Sequence, residues 1–235
     1  HIRKVEILNM GFHMFNHKEE EIPYEGGIDW NDLDVRNINI NARELQFKGG
    51  VMSGSLDKLT FVEKSGWECR SISGQAKVGR GKAIIEDLKI RDRWSDLDLP
   101  LYMMSFRSSK DFADYIGKIK MDARISPSDL DFRTLSYFAP QLGDNRLKAR
   151  ISGSMSGYVN DFTVSNIEFS SYAGGFSGTV NGRMTGLPEI EKTAIDATVS
   201  KCILTTEGLG RFLSEWSKGE EIDMSGLAKG ITFAV

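Results

Sequence analysis

Proline is scarce in this 235-residue sequence, with five residues, and cysteine scarcer still, with two. So few prolines, set beside 24 glycines, leave room for many turns and few rigid linkers. Cys69 and Cys202 are too few for a disulfide framework. They could pair in an oxidising compartment, but two separate buried thiols is the simpler expectation. There is no basic excess: 30 Lys and Arg stand against 33 Asp and Glu, a net charge of −3. That argues against a nucleic-acid-binding chain, which carries a clustered positive field. Long apolar runs are missing too. The longest nearly apolar stretch, 97–106, is interrupted by Asp98 and Ser105, whereas about 20 apolar residues are needed to cross a bilayer.

Catalytic motifs are equally thin. The three histidines are His1, His13 and His17. His13 and His17 have the i, i+4 spacing of a helical metal pair, but Met10, Phe12 and Met14 alternate around His13 as in a strand. No glutamate follows His13, so the zinc-protease motif is not formed. The segment Gly74-Gln75-Ala76-Lys77-Val78-Gly79-Arg80-Gly81-Lys82 approaches a phosphate loop, yet Arg80 and Gly81 stand where Lys and Ser/Thr are required. A hairpin with a basic tip is the better reading. No Gly-x-Ser-x-Gly elbow supports a serine nucleophile. Asp92, Asp96 and Asp98 alternate with apolar residues as on a solvated face. No motif asks for a cofactor or a metal.

What is abundant is strict alternation. Ile119, Met121, Ala123 and Ile125 alternate with Lys120, Asp122 and Arg124. Leu147 to Met155, Phe176 to Met184 and Ile195 to Ser200 repeat the pattern. A strand turns successive side chains to opposite faces, so each such stretch has one dry and one wet face. One-sided burial belongs to antiparallel sheets. Glycine-marked turns recur roughly every 8–12 residues, the rhythm of an all-β meander. In 33–42 the apolar register shifts from Leu33 and Val35 to Ile38, Ile40 and Ala42, which predicts a β-bulge near Arg36-Asn37.

Three short segments read as helical: 109–116, with a capping serine and Phe112 and Ile116 on one face; 134–138; and 206–218. Segment 16–27 reads as a mobile charged loop. A weak repeat of strand, Ser-Gly and strand recurs between 37–90 and 147–184, as expected of a sheet that grows by adding hairpins. Both ends of the sequence read as strands cut midway, which predicts a piece of a longer chain.

The expectation is a single all-β domain over 1–235 with a few short helices: an elongated, curved antiparallel sheet forming a trough with an apolar concave face. Three helices cover only part of such a sheet, so the rest must fold on itself, meet another layer or face an apolar ligand. The candidate lining, strand by strand, is Leu45 and Phe47; Leu88 and Ile90; Leu97, Leu99 and Leu101; Ile119, Met121 and Ile125; Leu147 and Ile151; Phe176 and Val180; Ile195 and Val199.

Several segments resemble the TamB/AsmA-like family, in its Bacteroidetes-type TamB form. They are Gly27 to Val35, Leu59 to Trp67, Asp111 to Tyr115 and Leu135 to Pro140, together with the Ile-Ser-Gly and Leu-Lys-Ile strand repeats. The resemblance implies a fragment of a periplasmic protein anchored in the inner membrane. It implies a hydrophobic trough that passes phospholipid acyl chains toward the outer membrane, or that serves an outer-membrane β-barrel assembly partner. It carries no residue-level active site, so a non-enzymatic chain is expected. The alternative is a self-packed periplasmic scaffold with no lipid path; a glycan-active enzyme with converging carboxylates is a more distant third.

Overall fold

Stretches of alternating sequence become strands only when each finds a neighbour for its backbone N–H and C=O groups. In the computed structural model every strand finds that neighbour next to itself in the sequence. The structure describes residues 1–15, 27–143, 145–172, 174–187, 192–205 and 232–233. Eleven antiparallel strands follow one another as a meander in one open sheet. They are β1 (Ile2–Phe15), β2 (Asp32–Lys48), β3 (Val51–Glu63), β4 (Glu68–Gly79), β5 (Lys82–Arg91), β6 (Asp96–Ser105), β7 (Lys120–Asp131), β8 (Lys148–Tyr158), β9 (Asp161–Ser171), β10 (Phe176–Thr185) and β11 (Ala194–Leu204). A two-residue strand β12 (Thr232–Phe233) lies parallel to β11. The fold is thus the all-β, elongated, curved sheet that the alternation predicts. At about 4.8 Å per strand, eleven strands extend roughly 48 Å.

Curvature has a local origin. Register shifts interrupt the ladders at β1, β2, β5, β9 and β11, and each has a non-glycine residue with positive φ beside it: Asn9, Asn37, Asp87, Asn166 and Lys201. An inserted residue in the left-handed region bends the strand and raises its twist. The bulge expected near Arg36-Asn37 is among them. Two bulges share a further device. The Asn39 Oδ1 accepts the Asn9 N–H at 3.0 Å, and the Asn181 Oδ1 accepts the Asn166 N–H at 2.8 Å. In each case an asparagine on the neighbouring strand satisfies a backbone donor that the ladder has released.

Among the described residues, helical structure is confined to two connections. Between β6 and β7 a 3₁₀ turn (Ser109–Asp114), N-capped at Ser108 rather than Ser109, leads into α1 (Tyr115–Lys118). Between β7 and β8 lie α2 (Phe132–Ser136) and a 3₁₀ turn (Pro140–Leu142). The helix expected over 206–218 and nearly all of the loop expected over 16–27 fall outside the described residues. Among the described residues no helix is long and apolar enough to cross a membrane.

Candidate functional site: one apolar sheet face

Directly paired residues in an antiparallel sheet share a face, so a chain of pairs can be followed from strand to strand. One such row runs without a break from β2 to β11. Phe47 opposes Met52, Met52 opposes Val78, Val78 opposes Ala83, and Ala83 opposes Met104. Met104 then opposes Met121, Met121 opposes Gly157, Gly157 opposes Phe162, Phe162 opposes Met184, and Met184 opposes Ile195. A second row runs beside it from β4 to β11: Ala76, Ile85, Tyr102, Ala123, Met155, Val164, Gly182 and Ala197. Neither row contains a charged residue.

The opposite face is charged, and cross-strand ion pairs run along it. Arg43 meets Asp57, Lys77 meets Glu86, Arg91 meets Asp96, and Arg183 meets Asp161. His13 belongs there as well, its Nε2 at 2.7 Å from Asp32, as the alternation around it predicts. Exposed pairs of this kind each contribute little, but together they keep one face wet.

Burial along the apolar face is uneven. A closed centre forms around Leu88, Leu99 and Ala123, with Ile72, Ile85, Ile90, Leu97, Tyr102, Ile125 and Met155 packed against it. The α1 segment lies on this part of the face. The Tyr115 hydroxyl pairs with that of Tyr102 at 2.7 Å and reaches the sulfurs of Met104 and Met121 at 3.6 and 3.4 Å. Burial of Tyr102 and its bond to Tyr115 push its phenol well above the ordinary range. Toward both ends of the row the same face lies open. Phe47 is 78% exposed and Met52 52%, while Ile195 at the other end is 62% exposed. On β1, Met10, Phe12 and Met14 are exposed as well.

The candidate lining residues divide accordingly. Leu88, Ile90, Leu97, Leu99, Met121 and Ile125 belong to the closed centre. Leu45, Phe47, Phe176, Val180, Ile195 and Val199 occupy the flanks, half-buried or exposed; Val180 opposes Val199 and Ile167. Ile151 opposes Phe169, whose ring lies 4.9 Å from that of Phe176. Ile119 precedes β7 instead of opening it, and is fully buried beneath the α1 connection. Leu147 precedes β8, where its carbonyl accepts the Phe132 N–H. Leu101 does not join the face. It opposes Glu86 and Arg124, while its neighbour Tyr102 enters the core cluster. The bulge at Asp87 shifts the alternation on β5, and the paired stretch of β6 follows. Of the methionines on this face the candidate lining named only Met121. Met52, Met104, Met121, Met155 and Met184 all stand in the two rows, and an unbranched thioether adapts its shape to what it meets.

Two of the buried carboxylates, Asp92 and Asp131, are closely engaged. Asp92 accepts from the backbone N–H groups of Trp94 and Ser95, from Trp67 Nε1 at 3.1 Å and from Thr134 Oγ1 at 2.7 Å. Asp131 accepts from two of the Arg133 guanidinium nitrogens, Nε at 2.9 Å and Nη2 at 2.6 Å. Four donors on one carboxylate leave it no lone pair for a substrate proton, so this network ties α2 to the β5–β6 turn. Among the described residues no three of His, Cys, Asp and Glu gather as metal ligands. Cys69 and Cys202 are both free, Cys69 buried and Cys202 only half-buried. They stand on β4 and β11, and seven strand spacings put them about 34 Å apart along the sheet.

Set against known proteins, the chain matches no family model, no curated protein and no solved structure.

Proposed function

We propose that this chain is a non-enzymatic envelope-biogenesis module whose apolar sheet face carries phospholipid acyl chains between the inner and outer membranes, in the manner of TamB/AsmA-like proteins. The observation that carries the reading is the unbroken apolar row from Phe47 to Ile195, closed at its centre and open on both flanks. Folded proteins rarely expose a contiguous apolar patch beyond a few hundred Å² unless something binds there. Each CH₂ of an acyl chain removed from water contributes about 0.8 kcal/mol, so such a face needs no catalytic group to hold lipid. The sheet's extent of roughly 48 Å exceeds the bilayer's apolar thickness of about 30 Å. The segments that resemble TamB proteins supply the setting: a periplasmic fragment of a parent chain anchored in the inner membrane, working toward an outer-membrane β-barrel partner. Native mass spectrometry of the gently extracted protein tests this. Co-purifying phospholipid is expected; lipid-free protein from every extraction would leave the self-packed scaffold as the better reading.

A further inference from the structure

The two rims of the sheet differ in charge. At one rim lie the turn after β2, the β4–β5 turn and the long β6–β7 connection. Lys48 stands directly after Phe47, and Arg80 and Lys82 flank the turn between Val78 and Ala83. The connection from Met104 to Met121 adds Arg107, Lys110, Lys118 and Lys120. All seven cations are exposed. Asp111 and Asp114 are the only carboxylates in 46–53, 78–83 and 104–121, so this rim carries a net +5 (seven minus two). Both carboxylates are already engaged. Asp111 accepts the N–H groups of Arg107 and Ser108, and Asp114 pairs with Lys118 at 3.2 Å. Among the described residues the other six cations have no carboxylate partner. At the opposite rim, 27–34, 63–68, 91–96, 129–133 and 145–148 hold nine carboxylates and six cations, a net −3 (six minus nine). The chain as a whole is −3.

The basic rim lies at the ends of the strands that carry the apolar row. Phe47, Val78, Ala83 and Met121 each stand within two residues of one of its cations, and Met104 within three. A ligand laid across the row, along the strands, therefore meets apolar side chains over its length and cations without carboxylate partners at its rim end. That is the chemistry of an anionic glycerophospholipid. We propose that the Lys48–Lys120 rim binds the headgroup phosphate of anionic phospholipids whose acyl chains lie on the open flank of the apolar row around Phe47 and Met52, so that lipid sits with its headgroup toward this rim and away from the acidic one. The proposal rests on the lipid-carrying reading above and adds an orientation and a preference to it. Clustered cations close to an anionic lipid surface act through a field that falls off within a Debye length, about 30 Å at 0.01 M salt and 10 Å at 0.1 M.

The test mixes the purified chain with vesicles of phosphatidylglycerol or of phosphatidylcholine at 0.01 M and 0.1 M salt and measures lipid bound per protein after separation. Wild type is compared with Lys48→Glu/Arg80→Glu/Lys82→Glu/Lys120→Glu, and with a control reversing Lys58, Arg70, Lys89 and Arg124 elsewhere on the sheet. Circular dichroism checks that each variant folds, and single reversals replace any quadruple variant that does not. The expected result is at least a tenfold preference for phosphatidylglycerol at 0.01 M salt. It shrinks at 0.1 M, is lost in the rim variants and persists in the control. Equal uptake of both lipids by wild type, or a preference unchanged by the rim reversals, overturns the rim proposal and leaves the apolar face as a lipid carrier. Uptake of neither lipid overturns the carrier reading, and the rim proposal with it.

Discussion

Met121 and Ile195 stand in one register-linked row but in different surroundings, and a charge placed at each separates a core from an open face. Met121 is 7% exposed beneath the Tyr115 hydroxyl. Met121→Asp buries a carboxylate with no partner, which costs several kcal/mol, so the protein is expected to lose its cooperative thermal transition. Ile195→Asp at a 62% exposed site is expected to change stability by less than about 0.5 kcal/mol in a denaturant melt. Cys69 gives a second residue-scale expectation. Burial pushes its thiol up to about 11. The folded state therefore favours the neutral thiol: the associated stability is complete below the unfolded value near 9 and is lost as pH rises toward 11. The loss is at most about 2–3 kcal/mol. At pH 8 without denaturant, iodoacetamide should label Cys202 and leave Cys69 intact until the chain unfolds. Equal labelling rates would contradict the buried placement of Cys69.

At the scale of strands, the bulges decide what was readable. Uninterrupted alternation, as in Phe176 to Met184, placed its residues on the correct face from sequence, because a period of two needs no knowledge of the partner. Beside Asn37 the shift was readable too, since apolar residues flank it closely on both sides. Leu101 was misplaced, because the bulge that sets its face is at Asp87, on the neighbouring strand. Cys202 lies an odd number of residues from Val199, and the left-handed residue Lys201 between them supplies the extra step that a period of two does not show. The closed centre was illegible because α1 descends onto the face from a connection whose own pattern shows only a short amphipathic turn. Lys201 also provides a test. Its φ of +49° costs a residue with a Cβ about 1–2 kcal/mol. Lys201→Gly should be neutral or stabilising in a denaturant melt despite glycine's entropy cost, and Lys201→Val should lose more than about 1 kcal/mol. The reverse order would mean that β11 carries no bulge there.

For the whole molecule, the meander explains why so long an apolar face remains open. Each strand satisfies its backbone with its sequence neighbour, so the sheet grows along one axis, and among the described residues no second sheet covers it. The ion pairs of the wet face and the basic rim hold the charge away from the apolar row. The central claim is that the flanks of this row meet lipid while its centre does not. The most direct measurement places a photo-activatable benzoylphenylalanine at Phe47, Ile195 or Met121 in living cells and identifies the adducts by mass spectrometry. Lipid adducts at Phe47 and Ile195 with none at Met121 are predicted. Protein adducts alone at Phe47 and Ile195 would show that this face is covered by another polypeptide, and would contradict the account.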